Sequence, residues 1–261
     1  MPDHLAEGEP ALHAVADGGP GTPEARVVLV HGFTQTLAAW EPVAARLGAR
    51  WRVLRVDLPG HGGSAAVRAG FAEAAGLLGA CGGRAAYVGY SLGGRLCLRL
   101  ALDRPDLVRA LVLLGASPGI ADPAARAERA AADEALAAGL ERDGVASFLD
   151  RWLAGPLFAT LPPERAGRAA RLANSPAGLA AALRRLGAGA QEPLWQRLAG
   201  LRCPTLLLAG ALDARFAAVA EQMAEAIGGR ARVALVPGAG HAAQLERPAE
   251  VAALLEGFLA E

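Results

Sequence analysis

The fold of this chain is decided by residues 89–94, which read GYSLGG. They follow an apolar run, Ala86 to Gly89, that is typical of a buried strand, and they open a helical pattern from Leu92 to Leu102. A serine at such a strand-to-helix turn has a strained backbone, and the flanking glycines let strand and helix approach closely. Its hydroxyl is then exposed at a helix N-terminus, where backbone amides favour developing negative charge. The sequence therefore predicts a nucleophile elbow at Ser91.

Two further residues supply what a reactive serine requires. A serine needs a histidine as its base, and the histidine needs a carboxylate to orient it. Asp213 follows the apolar run Thr205 to Ala209, and His241 follows the run Val233 to Val236. The order Ser, Asp, His along the chain is that of α/β hydrolases. Taken singly, Asp213 also suits a helix N-cap and His241 a packed core position.

The loop after the apolar run Val27 to Val30 offers a second part of such a site. Phe33 lies in this loop, where the fold supplies an oxyanion amide, so we expect the backbone amides of Phe33 and Leu92 to form the oxyanion hole. The side chain of Phe33 also suits a pocket wall, and His31 suits a structural turn. Residues 57–64 form a glycine-rich loop without the lysine of a phosphate-binding loop.

Short runs rich in Val and Leu alternate with helical patterns, which predicts an α/β fold with a mostly parallel, doubly wound sheet. The six predicted strands are Val27–Val30, Val53–Val56, Ala86–Gly89, Leu111–Leu114, Thr205–Ala209 and Val233–Val236. No strand pattern appears between the fourth and fifth, and residues 118–195 read as helices broken by prolines. We therefore expect one domain over residues 1–261, with 118–195 inserted as a helical lid above the strand ends.

Composition excludes several classes of protein. The chain has 261 residues, of which 53% are hydrophobic, so it can bury a sizeable core. Arg and Lys together number 26, against 26 Asp and Glu, and every one of these cations is arginine. A formal charge of zero argues against nucleic-acid binding and against a basic membrane surface. A charged ligand must therefore be met by local arginines.

The remaining signals concern location and cofactors. The three cysteines are far apart and suggest neither zinc nor disulfides, and Met1 to Leu12 has no hydrophobic stretch of a secretory signal. No apolar run reaches the roughly 18 residues of a membrane span. We therefore expect a cytoplasmic protein that needs no cofactor or metal, since dinucleotide and metal-ligand motifs are also absent. No sequence pattern indicates an oligomeric state.

Arg95 lies four residues after Ser91, on the same face of the predicted helix, and helical side chains tilt towards the N-terminus. Its guanidinium can therefore reach the pocket, although a salt bridge to the lid or surface explains it equally well. Arg126, Arg129 and Arg171 in the predicted lid are similar cases.

With these motifs in view, the chain resembles the α/β-hydrolase superfamily, and within it the 2-succinyl-6-hydroxy-2,4-cyclohexadiene-1-carboxylate synthases of menaquinone biosynthesis. The resemblance runs from about Leu29 to Leu259 and includes the lid. The motifs that carry it are Gly89–Arg95, Ser117–Gly119, Arg126–Arg129, Asp133, Trp152 and Pro156–Ala159.

The resemblance implies a lyase that removes a proton next to a ketone and expels pyruvate, with no hydrolysis. It assigns the triad to Ser91, Asp213 and His241, with Ser91 as the base. The substrate carries several carboxylates, which arginines meet in bidentate fashion. The family's substrate-binding positions fall on Tyr90, Arg95, Arg129, Trp152 and Arg171.

Two alternatives stay open. The same triad serves a serine esterase or a carbon–carbon bond hydrolase in which Ser91 is a covalent nucleophile. A non-catalytic binding protein of the same fold is the second alternative, and the presence of all three triad residues argues against it.

Overall fold

The computed structural model describes residues 11–18 and 25–261. Most of the N-terminal stretch that was predicted to lack a secretory signal, residues 1–10, lies outside the described residues. The strands are β1 (Ala14–Asp17), β2 (Arg26–Val30), β3 (Arg52–Val56), β4 (Ala85–Tyr90), β5 (Val108–Leu114), β6 (Thr205–Gly210) and β7 (Ala231–Val236). All six predicted strands are present, and β5 and β7 begin earlier than predicted.

The strands form one sheet in the order β1-β3-β2-β4-β5-β6-β7, in which only β1 is antiparallel to its neighbour. β4 lies in the centre and all six of its residues are buried, which explains its unbroken apolar sequence. This architecture confirms the predicted mostly parallel α/β-hydrolase fold.

The edge strand β1 was not predicted. It is short and pairs with β3 alone, so its sequence shows no apolar run. His13, just before it, ties this edge to the loop after β3: its amide donates to Ser64 Oγ at 2.8 Å, and its Nδ1 lies 2.9 Å from Asp57 Oδ2.

Helices cover both faces of the sheet. The α-helices are α1 (Glu41–Leu47), α2 (Phe71–Gly82), α3 (Leu92–Asp103), α4 (Pro123–Leu153), α5 (Arg168–Leu172), α6 (Pro176–Leu186), α7 (Ala214–Ile227), α8 (Ala243–Glu246) and α9 (Pro248–Leu259). The short 3-10 helices are Leu37–Trp40, Gly62–Ser64, Pro156–Phe158, Pro163–Arg165 and Trp195–Gly200. Helices α2, α3 and α7 contribute to the apolar core on one face, and α1 and α9 to that on the other. Within the described chain, none of these helices is both long enough and apolar enough to cross a bilayer.

The helices α4, α5 and α6 lie between β5 and β6, within residues 118–195. α4 packs against α6, and the two share a separate apolar core that includes Leu140, Phe148 and Leu183. α4 is interrupted at Gly144, whose φ of 77° and ψ of 170° are not helical. This segment therefore has a core of its own beside the two that cover the sheet.

Candidate active site

Ser91 lies at the sharp turn between β4 and α3, with φ 50° and ψ −110°. A left-handed φ is costly for a residue other than glycine and is typical of a nucleophile elbow. The neighbouring glycines are required by space: a Cβ at Gly89 would lie 2.5 Å from the amide nitrogen of Gly94. A Cβ at Gly93 would collide with the carbonyl oxygen of Val30. The spacing of the motif is therefore explained by the packing of α3 against β4 and β2.

Ser91, His241 and Asp213 are brought together at the carboxyl ends of three strands. His241 Nδ1 lies 2.8 Å from Asp213 Oδ2, and His241 Nε2 lies 3.4 Å from Ser91 Oγ, at the long end of the hydrogen-bond range. A carboxylate can only accept, so the Nδ1 proton is held by Asp213 and Nε2 faces the hydroxyl as an acceptor. The arrangement can pass a proton from Ser91 to His241.

Asp213 makes two kinds of contact at once. Its Oδ1 accepts the Phe216 amide at 3.2 Å and caps α7, while Oδ2 holds His241. The N-cap alternative raised from the sequence is thus compatible with the orienting role. Burial acts to raise the pKa of Asp213, but the hydrogen bonds from His241 and the Phe216 amide outweigh it and leave the pKa below its usual value. The carboxylate is therefore ionised at neutral pH.

The loop after β2 lies against the elbow. Val30 pairs with Gly89 across β2 and β4, so Phe33 and Leu92 follow neighbouring strand ends. In this loop the Gly32 amide donates to Gln35 Oε1 at 3.0 Å and the Thr34 amide to His61 Nε2 at 3.3 Å. Among the described residues, the Phe33 amide has no acceptor. A free amide here fits the predicted oxyanion hole, because a ligand oxygen can take the vacant bond.

His31 and His61 are buried structural histidines. Burial lowers the pKa of His31 to about 4 and the pKa of His61 to about 3, so both imidazoles are neutral at pH 7. His31 Nδ1 contacts the Gly32 carbonyl at 2.8 Å, and its Nε2 accepts the Leu58 amide at 3.1 Å. These bonds match the expectation that His31 shapes the turn.

Arg95 and Arg129 lie together, and both are bonded to residues of the helical segment. Arg95 donates to Gln191 Oε1 at 2.7 Å and to the Leu186 carbonyl at 2.8 Å. Burial lowers the pKa of Arg95 to about 10, aided by the nearby cation of Arg129. Arg129 donates to Asp133 at 2.7 Å. Arg129 thus forms a salt bridge within the helical segment, as that alternative anticipates, whereas the partners of Arg95 in this segment are neutral.

Arg171 is the most buried of the predicted arginines, at 2% exposed, and like Arg95 it has no carboxylate partner in the described chain. Its Nε donates to the Ala166 carbonyl at 2.7 Å and its Nη1 to Thr34 Oγ1, while Nη2 is buried with no acceptor among the residues that the structure describes. Burial lowers the pKa of Arg171 to about 10, and the group remains a cation at neutral pH. A buried, unpaired cation can receive an anionic ligand.

Aromatic side chains form the wall of the site. The Tyr90 ring lies 5.3 Å from the His241 ring, and Phe33 lies 5.5 Å from Trp152. Phe158 contacts both Trp152 and His241, at 5.9 and 6.3 Å between ring centroids. Trp152 and Phe158 also line a cavity of about 770 Å³ whose lining does not include Ser91 or His241. Phe158 therefore lines this cavity and also contacts the His241 ring.

Three side chains at this site were not predicted from the sequence. Phe216 follows Asp213 in the first turn of α7, and its ring contacts the His241 ring at 4.6 Å between centroids. Phe148 stacks on Trp152 at 5.7 Å, and Asn174 bonds to the loop after β2. Phe148 could have been predicted, because its spacing of four residues from Trp152 puts both side chains on one face of a helix. Nothing in the local sequence distinguishes Asn174. Across residues 11–18 and 25–261, no cluster of three His, Cys, Asp or Glu side chains is suited to a metal.

The sequence profile of the Alpha/beta hydrolase family matches residues 27–254, and this chain belongs to that family. The elbow at Ser91 and the sheet order described above are what that family assignment implies.

Two relatives that match nearly the whole chain are both named as the same synthase. The chain is 33% identical over 265 residues to a putative 2-succinyl-6-hydroxy-2,4-cyclohexadiene-1-carboxylate synthase of Bacillus subtilis, covering 95% of this chain and 94% of the relative. It is 36% identical over 251 residues to the synthase of that name from Salmonella newport, covering 92% and 95%. A solved structure of MenH from S. aureus superposes with a TM-score of 0.87 at 31% identity, covering 95% and 98%. These matches confirm the resemblance stated from the sequence.

Proposed function

We propose that this protein is a lyase that eliminates pyruvate from 2-succinyl-5-enolpyruvyl-6-hydroxy-3-cyclohexene-1-carboxylate, in menaquinone biosynthesis. The product is 2-succinyl-6-hydroxy-2,4-cyclohexadiene-1-carboxylate, the compound in the names of the relatives. The observation that carries the proposal is Arg171, a buried cation without a carboxylate, bonded to the same loop as the free Phe33 amide. An ester hydrolase has no need of such a cation, whereas a substrate with several carboxylates does.

In the proposed mechanism Ser91 is the base. Its Oγ gives its proton to His241 Nε2 and takes the proton from the ring carbon next to the succinyl ketone. The electrons move to the ketone oxygen, which the amides of Phe33 and Leu92 hold as an enolate. When the enolate collapses, the electrons pass through the ring double bond and break the carbon–oxygen bond to enolpyruvate. The leaving group is protonated to pyruvate, and the ring becomes a conjugated diene.

We assign substrate binding to Tyr90, Arg95, Arg129, Trp152 and Arg171. Arg171 bonds to Thr34 in the loop after β2, and Tyr90 and Trp152 contribute to the aromatic wall. Arg95 and Arg129 would exchange their bonds to Gln191 and Asp133 for substrate carboxylates. Arg is suited to this exchange because its planar fork binds a carboxylate in bidentate fashion.

We propose the helical segment 118–195 as a lid within a single domain over residues 1–261. Its support is the separate core of α4 and α6 and the contact of Trp152 with Phe33. A small polycarboxylate as ligand and a cytoplasmic location belong to the same proposal.

The experiment is a coupled assay for pyruvate, together with diene absorbance, on the enolpyruvyl cyclohexene substrate. We expect turnover by the native protein, and its loss in Ser91→Ala with an unchanged fold, because a turn hydroxyl contributes little to stability. Arg171→Met should raise KM at least tenfold. Arg184→Met, which removes an exposed arginine paired to Glu134 and Glu141, is the matched control and should leave KM unchanged.

The hydrolase alternative gives a different result in the same preparation. It requires an acyl-enzyme at Ser91, detected as a burst of p-nitrophenol from simple esters. Such a burst without pyruvate release would overturn the proposal, and so would pyruvate release by Ser91→Ala.

A further inference from the structure

Asn174 joins three segments of the chain from the turn between α5 and α6. It is 5% exposed, and its Nδ2 donates to the carbonyl oxygens of Thr34 at 2.8 Å and Arg171 at 3.0 Å. Its Oδ1 accepts the Gly62 amide at 2.8 Å. These partners fix the orientation of the side-chain amide, because carbonyl oxygens only accept and backbone amides only donate. Asn174 thus connects the helical segment to the loops after β2 and β3.

Thr34 is the strained member of this arrangement. Its φ is 66°, in the left-handed region that a β-branched residue rarely adopts. Three bonds hold it there: its amide donates to His61 Nε2, its carbonyl accepts from Asn174, and its hydroxyl accepts from Arg171. A strained conformation persists only where the surroundings over-determine it, and these bonds provide that restraint.

The strain matters because Thr34 directly follows Phe33. Rotation of Thr34 out of the left-handed region would turn the Phe33–Thr34 peptide, which carries the Phe33 carbonyl. Because the Gln35 amide bonds back to the Gly32 carbonyl at 3.2 Å and closes this turn, that rotation must be compensated at Phe33, which moves the Phe33 amide. That amide is the one donor among Gly32, Phe33, Thr34 and Gln35 with no acceptor in the described chain. The direction of this amide is therefore coupled, through the closed turn, to the conformation of Thr34.

We infer that Asn174 is a positioning residue for the proposed reaction: by holding Thr34 at positive φ, it aims the Phe33 amide at the oxygen of the enolate. The inference rests on the proposed function. It also makes the oxyanion hole dependent on residues 118–195, because Asn174 and Arg171 both belong to that segment. The bond from Gly62 anchors Asn174 from the opposite side.

The test compares Asn174→Ala in two backgrounds. With Thr34 present, we expect kcat to fall by about tenfold or more with KM within about twofold, since a displaced donor weakens transition-state binding rather than substrate binding. In a Thr34→Gly background, the same substitution should lower kcat by less than about threefold, because glycine takes a positive φ without restraint. Equal losses in both backgrounds, or a rise in KM alone, would overturn the inference.

Ser175→Ala is the matched control for the stability of the segment. Ser175 adjoins Asn174 and caps α6 by accepting the Gly178 amide at 3.0 Å. Replacing Ser175 removes this cap and destabilises the same turn, but it does not remove the bond between Asn174 and Thr34. We expect it to lower Tm and leave kcat unchanged. Asn174→Ser replaces Asn174→Ala if the alanine variant does not fold.

A structural measurement separates this inference from the proposed function. In a crystal structure of the Asn174 variant, we expect the φ of Thr34 to leave the left-handed region. If the native protein releases no pyruvate, the proposed function fails. The φ of Thr34 in the variant then still shows whether Asn174 holds Thr34 in the left-handed region. A φ that stays near the native value in the variant would refute the role of Asn174.

Discussion

At the scale of single residues, Asp213 shows how one carboxylate serves two structural purposes. One oxygen caps α7 through the Phe216 amide and the other holds the ring of His241. The N-terminus of α7 therefore fixes the position of the carboxylate that orients His241. A substitution that keeps the shape of Asp213 will separate its contribution to stability, as the cap of α7, from its proposed contribution to catalysis, as the partner of His241.

Asp213→Asn should lower kcat by roughly 10⁴-fold, because the amide group favours the wrong tautomer of His241. Its free energy of unfolding should stay close to that of the native protein, since an asparagine oxygen caps a helix about as well as an aspartate oxygen. Asp213→Ala should lose both the activity and about 1 kcal/mol of stability through the missing cap. Turnover with urea unfolding curves checks both, and equal stabilities of the two variants would contradict the capping contribution.

At the scale of elements, α4 is two helices joined at Gly144. Its φ of 77° and ψ of 170° belong to a region that is essentially reserved for glycine. In the described chain, no atom beyond the adjoining residues and the nearby helix backbone lies within 4 Å of the position a Cβ would occupy, so the requirement is one of backbone conformation and not of space. The break lets the second half of α4 carry Phe148 and Trp152 to Phe33.

Gly144→Ala should therefore destabilise the protein by about 1–3 kcal/mol. Gly139→Ala, in the same helix, is the matched control: Gly139 has helical geometry, and a Cβ there would meet Arg142 only at 3.8 Å. It should stabilise the protein by roughly 0.5–1 kcal/mol, because alanine is the better helix former. Thermal and urea unfolding measure both, and a shift of the same sign in the two variants would be inconsistent with a break at Gly144.

At the scale of the whole molecule, the buried histidines make stability depend on pH. An imidazole in the unfolded chain gains its proton near pH 6.5, whereas burial lowers the pKa of His31 to about 4 and the pKa of His61 to about 3. Below pH 6.5 the unfolded state binds more protons than the folded state, so stability falls as the pH drops towards 4. Above pH 7 both states hold neutral imidazoles, and this contribution is fully present.

His61→Gln tests this dependence, since a glutamine oxygen can still accept the Thr34 amide. From pH 6 to 4.5, the free energy of unfolding of the variant should fall less steeply than that of the native protein, by up to about 1.4 kcal/mol per pH unit. Between pH 7 and 8 the two profiles should be parallel. Urea unfolding at each pH provides the measurement, and parallel profiles down to pH 4.5 would show that His61 does not titrate as its burial requires.

Much of this architecture could be predicted because central strands are covered on both faces. β4 and β6 are buried at every position, which leaves apolar runs that can be read from the sequence. β1 escaped prediction because it has one neighbour and four residues. The sequence could not single out Arg171 among 26 cations, because burial without a carboxylate is a property of packing. Asn174 was missed for a similar reason: its partner Thr34 is 140 residues away.

The attachment of His13 has a practical consequence for handling the protein. This residue binds Ser64 and Asp57, and Asp57 in turn accepts the Leu37 amide at 2.8 Å. The residue before β1 therefore supports the loops after β2 and β3. Trimming the chain beyond Leu12 would detach that support, so shortened versions made for crystallisation should retain His13.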